Sequence, residues 1–289
     1  MSAKKFVNLV MIGALITGLG TGLAHAQSPA AKGQVPKKHD PGPVGYALGF
    51  DSARAITQFG VILIGTGTFV PVADLASSAQ GLGRDEQGRL YVVDADNNLV
   101  RVNRQTGRTR VVGHTGVTTP GPLGPIAVDV FASMATGELF LMDYANNLYS
   151  VDPKTGAATL IGPTGIPPIT SPIYSSGFSG NCTSLFFTID EVDQDLNRLQ
   201  GPSLYKIDPQ TAAATLVGPT VSFMPGGAFI DGQLYGFSLD LREFGFGGAQ
   251  VLSIDPDSGA VTAVSDLNVS AIWGAVTYTD DPGERCARR

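Results

Sequence analysis

The stretch GELFLMDYANNLYSVDPKTGAATLIGPTG, residues 137–165, decides how the rest of the chain is read. Its Leu-aromatic start, like Leu90-Tyr91-Val92-Val93 earlier in the chain, is the apolar, β-branched and aromatic kind of run that suits a buried strand. A polar turn follows, and then a second strand, Leu148-Tyr149-Ser150-Val151. Next comes Asp152-Pro153-Lys154-Thr155-Gly156, where proline presets φ for a turn and glycine supplies the positive φ at its exit. Residues 158–161 make a third strand that ends at Gly162.

The same order returns in the segments that begin at Gly88, Ser184 and Gly232. Leu-aromatic pairs start at Leu90, Leu139, Leu185 and Leu234, separated by 49, 46 and 49 residues. Ahead of each pair lies a smaller, glycine-dotted strand, as in residues 126–130 and 226–230. Four strands per unit, repeated radially, predict the blades of an all-β propeller. The two ends complete one another. Residues 61–64 and 68–75 align with 251–254 and 260–267, so the N-terminus supplies the outer strands of a blade that lacks its innermost one. Residues 272–278, IWGAVTY, read as an innermost strand with no blade after it. Joining them gives a five-bladed propeller over residues 45–279, closed by pairing of the N- and C-terminal strands, with 47 residues per blade. Two other arrangements compete. One is a six-bladed ring with a degenerate blade in residues 45–75, and the other is a β-sandwich with irregular hairpins.

The stretch VVDADNNLVRV, Val92 to Val102, resembles the repeats of NHL and YVTN-type propeller proteins. The resemblance covers four units and is generic. It implies the fold and a binding or scaffolding role, with some enzymes among relatives.

Composition narrows the function classes. The chain has 289 residues, 43% hydrophobic and only 15% charged, with a net charge of −6. An acidic chain lacks the basic footprint of a nucleic-acid binder. Residues 1–26 read as a secretory signal peptide: Lys4 and Lys5 precede a glycine-broken apolar run that ends at Ala24-His25-Ala26. Residues 27–44 read as a flexible tether and 280–289 as a loose tail. No later segment reaches the roughly 18 apolar residues of a membrane span, so the mature protein is expected to be exported, to the periplasm or beyond. Cys182 and Cys286 then sit in an oxidising compartment, either as one disulfide or as two free thiols.

The residues that carry chemistry are few, and no catalytic set can be assigned. Of three histidines only His114 lies in the repeat region, in a turn where the other units place Pro163 and Pro219. A zinc site built from His and Cys clusters is excluded by the counts. Calcium is the metal that the residues would suit: Asp193, Asp195 and Asn197 alternate oxygen donors, although the EF-hand glycine and glutamate are missing. Asp94, Asp96 and Asp143 stand in comparable turns, where Asp and Asn are also favoured for turn formation alone. A glycosidase would need two converging carboxylates. Asp85 and Asp231 read as strand-ending turn residues, which leaves Asp129.

A binding role needs less. The repeat is broken by a proline-rich loop at 166–174, by an enlarged loop at 191–202, and by LREFGFGG at 241–248, which would present Phe244 and Phe246. Trp273, the single tryptophan, lies on the last innermost strand and either lines the channel or packs in the core. The sequence thus points to an exported, non-catalytic propeller that recognises a protein or glycan through its loop faces. The alternative is a hydrolase in the central funnel, either a glycosidase or a calcium-dependent, lactonase-type enzyme.

Overall fold

A computed structural model of the chain describes residues 42–122, 124, 126–241, 248–278 and 286. The elements are strands, and they fall into repeated antiparallel meanders. The first is β1 (Val44–Asp51), β2 (Ile56–Leu63) and β3 (Thr68–Asp74). Then come β4 (Ala79–Arg84) with β5 (Leu90–Asp94), β6 (Asn98–Val102) and β7 (Thr109–His114), and β8 (Val128–Ser133) with β9 (Leu139–Asp143), β10 (Asn147–Val151) and β11 (Ala158–Pro163). The next is β12 (Ile173–Gly180), β13 (Leu185–Val192), β14 (Arg198–Ile207) and β15 (Ala214–Pro219). The last is β16 (Gly226–Ile230), β17 (Gln233–Phe237), β18 (Gln250–Ile254) and β19 (Val261–Asp266), followed by β20 (Ala271–Thr277).

The final strand does not continue the last meander. β20 pairs antiparallel with β1, Tyr46 opposite Val276, and so completes the first sheet in the order β20-β1-β2-β3. Residues 44–74 are therefore three strands of that sheet. The leading strands pack in sequence, β4 beside β8, β8 on β12, β12 on β16, β16 on β20 and β20 on β4. This is an all-β, propeller-type arrangement. The innermost strand expected at residues 126–130 starts two residues later, at Val128. The reason lies in another meander: Asn97 Oδ1 accepts the N–H groups of Ala127 and Val128 at 2.9 and 3.2 Å, which holds the chain before it joins β9.

The apolar runs are continuous because each sheet is covered on both faces. Tyr46, Leu48 and Phe59 pack with Leu82, Leu90 and Val92. Tyr91, Val93 and Leu99 pack with Phe131, Leu139 and Leu141. The pattern passes through Phe140 and Phe187, then Phe186 and Leu252, and returns to the start where Phe237 and Val251 meet Ile62 and Phe69. A fully buried side chain of this size contributes about 2–3 kcal/mol. Two glycines allow close approach. Gly81 has φ 111° and lies where a Cβ would strike the Phe131 carbonyl, at the parallel β4–β8 contact. Gly67 has φ 64° and lies against the Asp266 carbonyl, between the last and first meanders.

Each outermost strand carries a register shift against its neighbour, for example between Leu99 and Val100 opposite β7 and between Leu148 and Tyr149 opposite β11. Bulges of this kind twist an exposed edge away from further strand pairing.

Candidate functional site

The leading strands surround an axial cavity lined by Leu82 and Arg84 of β4, Ser133 of β8, Ser179 of β12, Phe229 of β16 and Val276 of β20. These residues lie toward the C-terminal ends of their strands. Cys182, in the β12–β13 turn at the same end, forms a disulfide with Cys286.

The opposite end holds Asp129. This residue is the extra one in a register shift of β8 against β9, and the shift turns it toward β12. It is 4% exposed. Ser176 Oγ donates to its Oδ1 at 3.0 Å. Its Oδ2 has no hydrogen-bond partner among the described residues. The Tyr174 hydroxyl is close enough to favour the anion, but its proton goes to Tyr144 Oη at 3.0 Å. The two tyrosine rings meet edge to face, 5.9 Å apart. Burial pushes the Asp129 carboxyl up to about 7, and the charge of Asp143 pushes the same way, against Ser176 and Tyr174. Burial likewise raises both tyrosine hydroxyls. Tyr144, Tyr174 and Ser176 were not among the residues picked out from sequence. The available signal was the pair of serines in IYSSGFSG, polar side chains on an innermost strand.

The other acids serve their own turns. Asp143 Oδ1 accepts the N–H groups of Ala145 and Asn147 at 3.0 and 2.8 Å, and Oδ2 accepts from Asn147 Nδ2, Thr119 and Tyr149. Asp94 does the same with Asp96 and Asn98. Asp85 accepts from the N–H groups of Gln87 and Arg89, from the Arg89 side chain and from the Tyr91 hydroxyl. Asp231 is exposed in the β16–β17 turn.

The expected calcium ligands form a turn of this type. Asp193 Oδ1 accepts the N–H groups of Asp195 and Asn197 at 2.9 and 2.8 Å, and Oδ2 accepts Asn197 Nδ2 at 2.9 Å. These bonds, that from the Asn197 side chain first, lower the Asp193 pKa. Asn197 thus presents its donor nitrogen, the wrong atom for a cation, and the Asp193 carboxylate faces its own backbone. No group of three or more His, Cys, Asp or Glu side chains placed to hold a metal ion stands among the described residues. Asp193, Asp195 and Asn197 thus form a hydrogen-bonded turn headed by Asp193.

His114 is exposed at the end of β7, where its Nδ1 accepts the Gly116 N–H at 2.9 Å. Trp273 is half-buried on β20 against the first meander, its ring 5.7 Å from Phe50. Phe244 and Phe246 lie outside the described residues.

The enlarged loop after β13 holds apolar side chains that sequence reasoning did not single out. Leu196 and Leu199 are 42% and 51% exposed, and Val221 is 38% exposed in the link after β15. Arg198 joins the two segments through Ser222 at 3.1 Å. Beneath them the buried Glu191 accepts from the N–H groups of Thr170 and Ser171 and from Gln200 Nε2, and so ties the proline-rich loop to this hairpin.

No family model and no curated protein matches the chain. Among solved structures, the PQQ-bound form of aldose sugar dehydrogenase from Streptomyces coelicolor aligns with 64% of this chain at 18% identity and a TM-score of 0.44. The alignment spans 62% of the dehydrogenase's own length. A putative TolB from Agrobacterium tumefaciens aligns with 78% of this chain and 70% of its own, at 16% identity and a TM-score of 0.40. Likenesses at this level carry no argument about activity.

Proposed function

We propose that the chain is an exported five-bladed β-propeller, closed by the β1–β20 pairing, that recognises a protein or glycan through its loop faces without turning it over. The ring is supported by the cyclic packing of the leading strands and by the core shared between the last and first meanders. Export is supported by the signal-like residues 1–26 and by the Cys182–Cys286 disulfide, which suits an oxidising compartment. Among the described residues no helix is long and apolar enough to cross a membrane.

The observation that carries the binding reading is where the carboxylates point. Asp85, Asp94, Asp143 and Asp193 each bind the backbone of their own turn, whereas Leu196, Leu199 and Val221 face solvent on an irregular loop surface. The hydrolase alternative needs two free carboxylates about 5–10 Å apart. Asp129 is buried, and the acid that acts on it, Asp143, is already engaged.

The test is an array of glycans and peptides probed with the mature protein and with Leu196→Asn/Leu199→Ser. Asparagine suits the φ of 65° at position 196, so this variant should fold. A defined set of bound probes, lost in the variant and kept by an outer-strand control such as Leu160→Thr, is the expected result. Cleavage of a bound probe would transfer the protein to the hydrolases.

A further inference from the structure

The repeat supplies its own control for one hairpin. At the positions of Ser150, Ala157 and Thr159 in β10–β11, the β6–β7 hairpin carries Arg101, Arg108 and Arg110. The β18–β19 hairpin has Ser253, Ala260 and Thr262 there, and β14–β15 has Lys206, Ala213 and Thr215. The turn does not require the change. Asn103 accepts the N–H groups of Gln105 and Thr106 at 3.0 Å, as Asp208 does those of Gln210 and Thr211. Asn103 also replaces the acid found at Asp152, Asp208 and Asp255. From Asn97 to Val128 the chain has no Asp or Glu, in a protein of net charge −6.

These arginines share one face. Arg101 is directly opposite Arg110, while Val100 and Val102, opposite Val111 and Thr109, turn to the other side. Arg108 is two residues from Arg110, and its carbonyl accepts the Asn103 N–H, so alternation places it in the same row. All three are exposed, and none forms an ion pair with a described residue. The acid at the inner end of the row, Asp85, is paired with Arg89. Like charges directly opposite one another destabilise a sheet, and an external anion removes that cost.

We infer that the β6–β7 hairpin is a docking row for an acidic glycan, a polysaccharide with a carboxylate or sulfate along its length. This surface lies on the rim and goes beyond the loop-face reading. Guanidinium forks bind such groups bidentately. Strand geometry spaces the row at about 5 Å across and 7 Å along, so one small anion meets one or two arginines whereas a charged chain meets all three. The row is a single hairpin wide, and its exposed apolar neighbour Val111, at 56%, faces the other way. That favours a narrow polymer over a lipid surface, and the three side chains of the row are all arginines, with no aromatic among them on which a nucleic-acid base could stack.

The experiment is calorimetric titration of the full mature chain with polygalacturonate oligomers at low and at physiological salt. Fully methyl-esterified oligomers, phosphatidylglycerol vesicles and single-stranded DNA are run in parallel. The variant Arg101→Ser/Arg108→Ala/Arg110→Thr installs residues with which the β10–β11 hairpin already folds. Binding of the acidic oligomer, weakened by salt and about tenfold or more in the triple variant, is the expected result. Arg110→Thr alone should weaken it roughly threefold. Equal affinity for the methyl ester, undiminished binding by the folded triple variant, preference for vesicles or DNA, or no binding at all would each overturn the inference. Retention of loop-face partners by the triple variant would keep the two surfaces distinct.

Discussion

Asp143 and Asp193 head turns of the same design. Each carboxylate accepts two backbone N–H groups, two and four residues on, and an asparagine side chain. The fourth residue has positive φ in both, 57° at Asn146 and 65° at Leu196. Their surroundings differ. Asp143 is 0% exposed and also accepts from Thr119 and Tyr149, whereas the turn of Asp193 lies in solvent. A motif fixes where a carboxylate points, and its burial decides what that is worth. Four measurements bear on this difference.

The largest effect is expected at Asp129, the acid that feels the charge of Asp143. Its carboxyl rises from the usual 3.8 to about 7 in the folded state. Below about pH 4 it is protonated whether folded or not, and between there and 7 only the folded state keeps the proton. Stability should therefore fall as pH rises through that window, by on the order of 4 kcal/mol, and level off above it. Thermal midpoints of wild type and Asp129→Asn across pH 4–8 check this. A wild-type profile parallel to that of the variant would show that burial does not hold the proton.

Next is Asp143→Ala, which strands several buried donors and should cost about 3 kcal/mol in denaturant unfolding. Asp143→Asn should cost less, and by removing a like charge it should move the Asp129 transition to lower pH. Asp193→Ala removes the same local bonds in water and should cost about 1 kcal/mol. If the two alanine variants lose equal stability, burial does not separate the turns. The smallest effect concerns calcium. With the Asp193 carboxylate engaged by its own turn, adding calcium after EDTA should leave the midpoint within about 1 °C. A rise of several degrees, abolished in Asp193→Ala, would instead make this turn a cation site.

Much of the fold was legible because its grammar repeats. The Leu-aromatic pairs start β5, β9 and β13, and the match between the two ends of the chain falls on β1 and β20, which pair. What escaped depends on contacts between units. The start of β8 is set by Asn97, about thirty residues earlier. The surroundings of Asp129 come from Ser176, 47 residues away, and from two tyrosines in different meanders. The alternation Asp193, Asp195, Asn197 reads alike for a cation loop and for a turn capped by its first residue. Local spacing does not distinguish them, because the same oxygens suit backbone N–H groups and calcium.

The β1–β20 pairing also sets an order of events. Strands β1, β2 and β3 are made before the others, yet their sheet lacks its fourth strand until residues 271–277 are made, since Tyr46 waits for Val276. Contacts of such long separation form slowly. During synthesis the β1 edge of the first sheet therefore stays unpaired until β20 arrives. Arrival of β20, rather than assembly of the three earlier strands, is what finishes the first sheet.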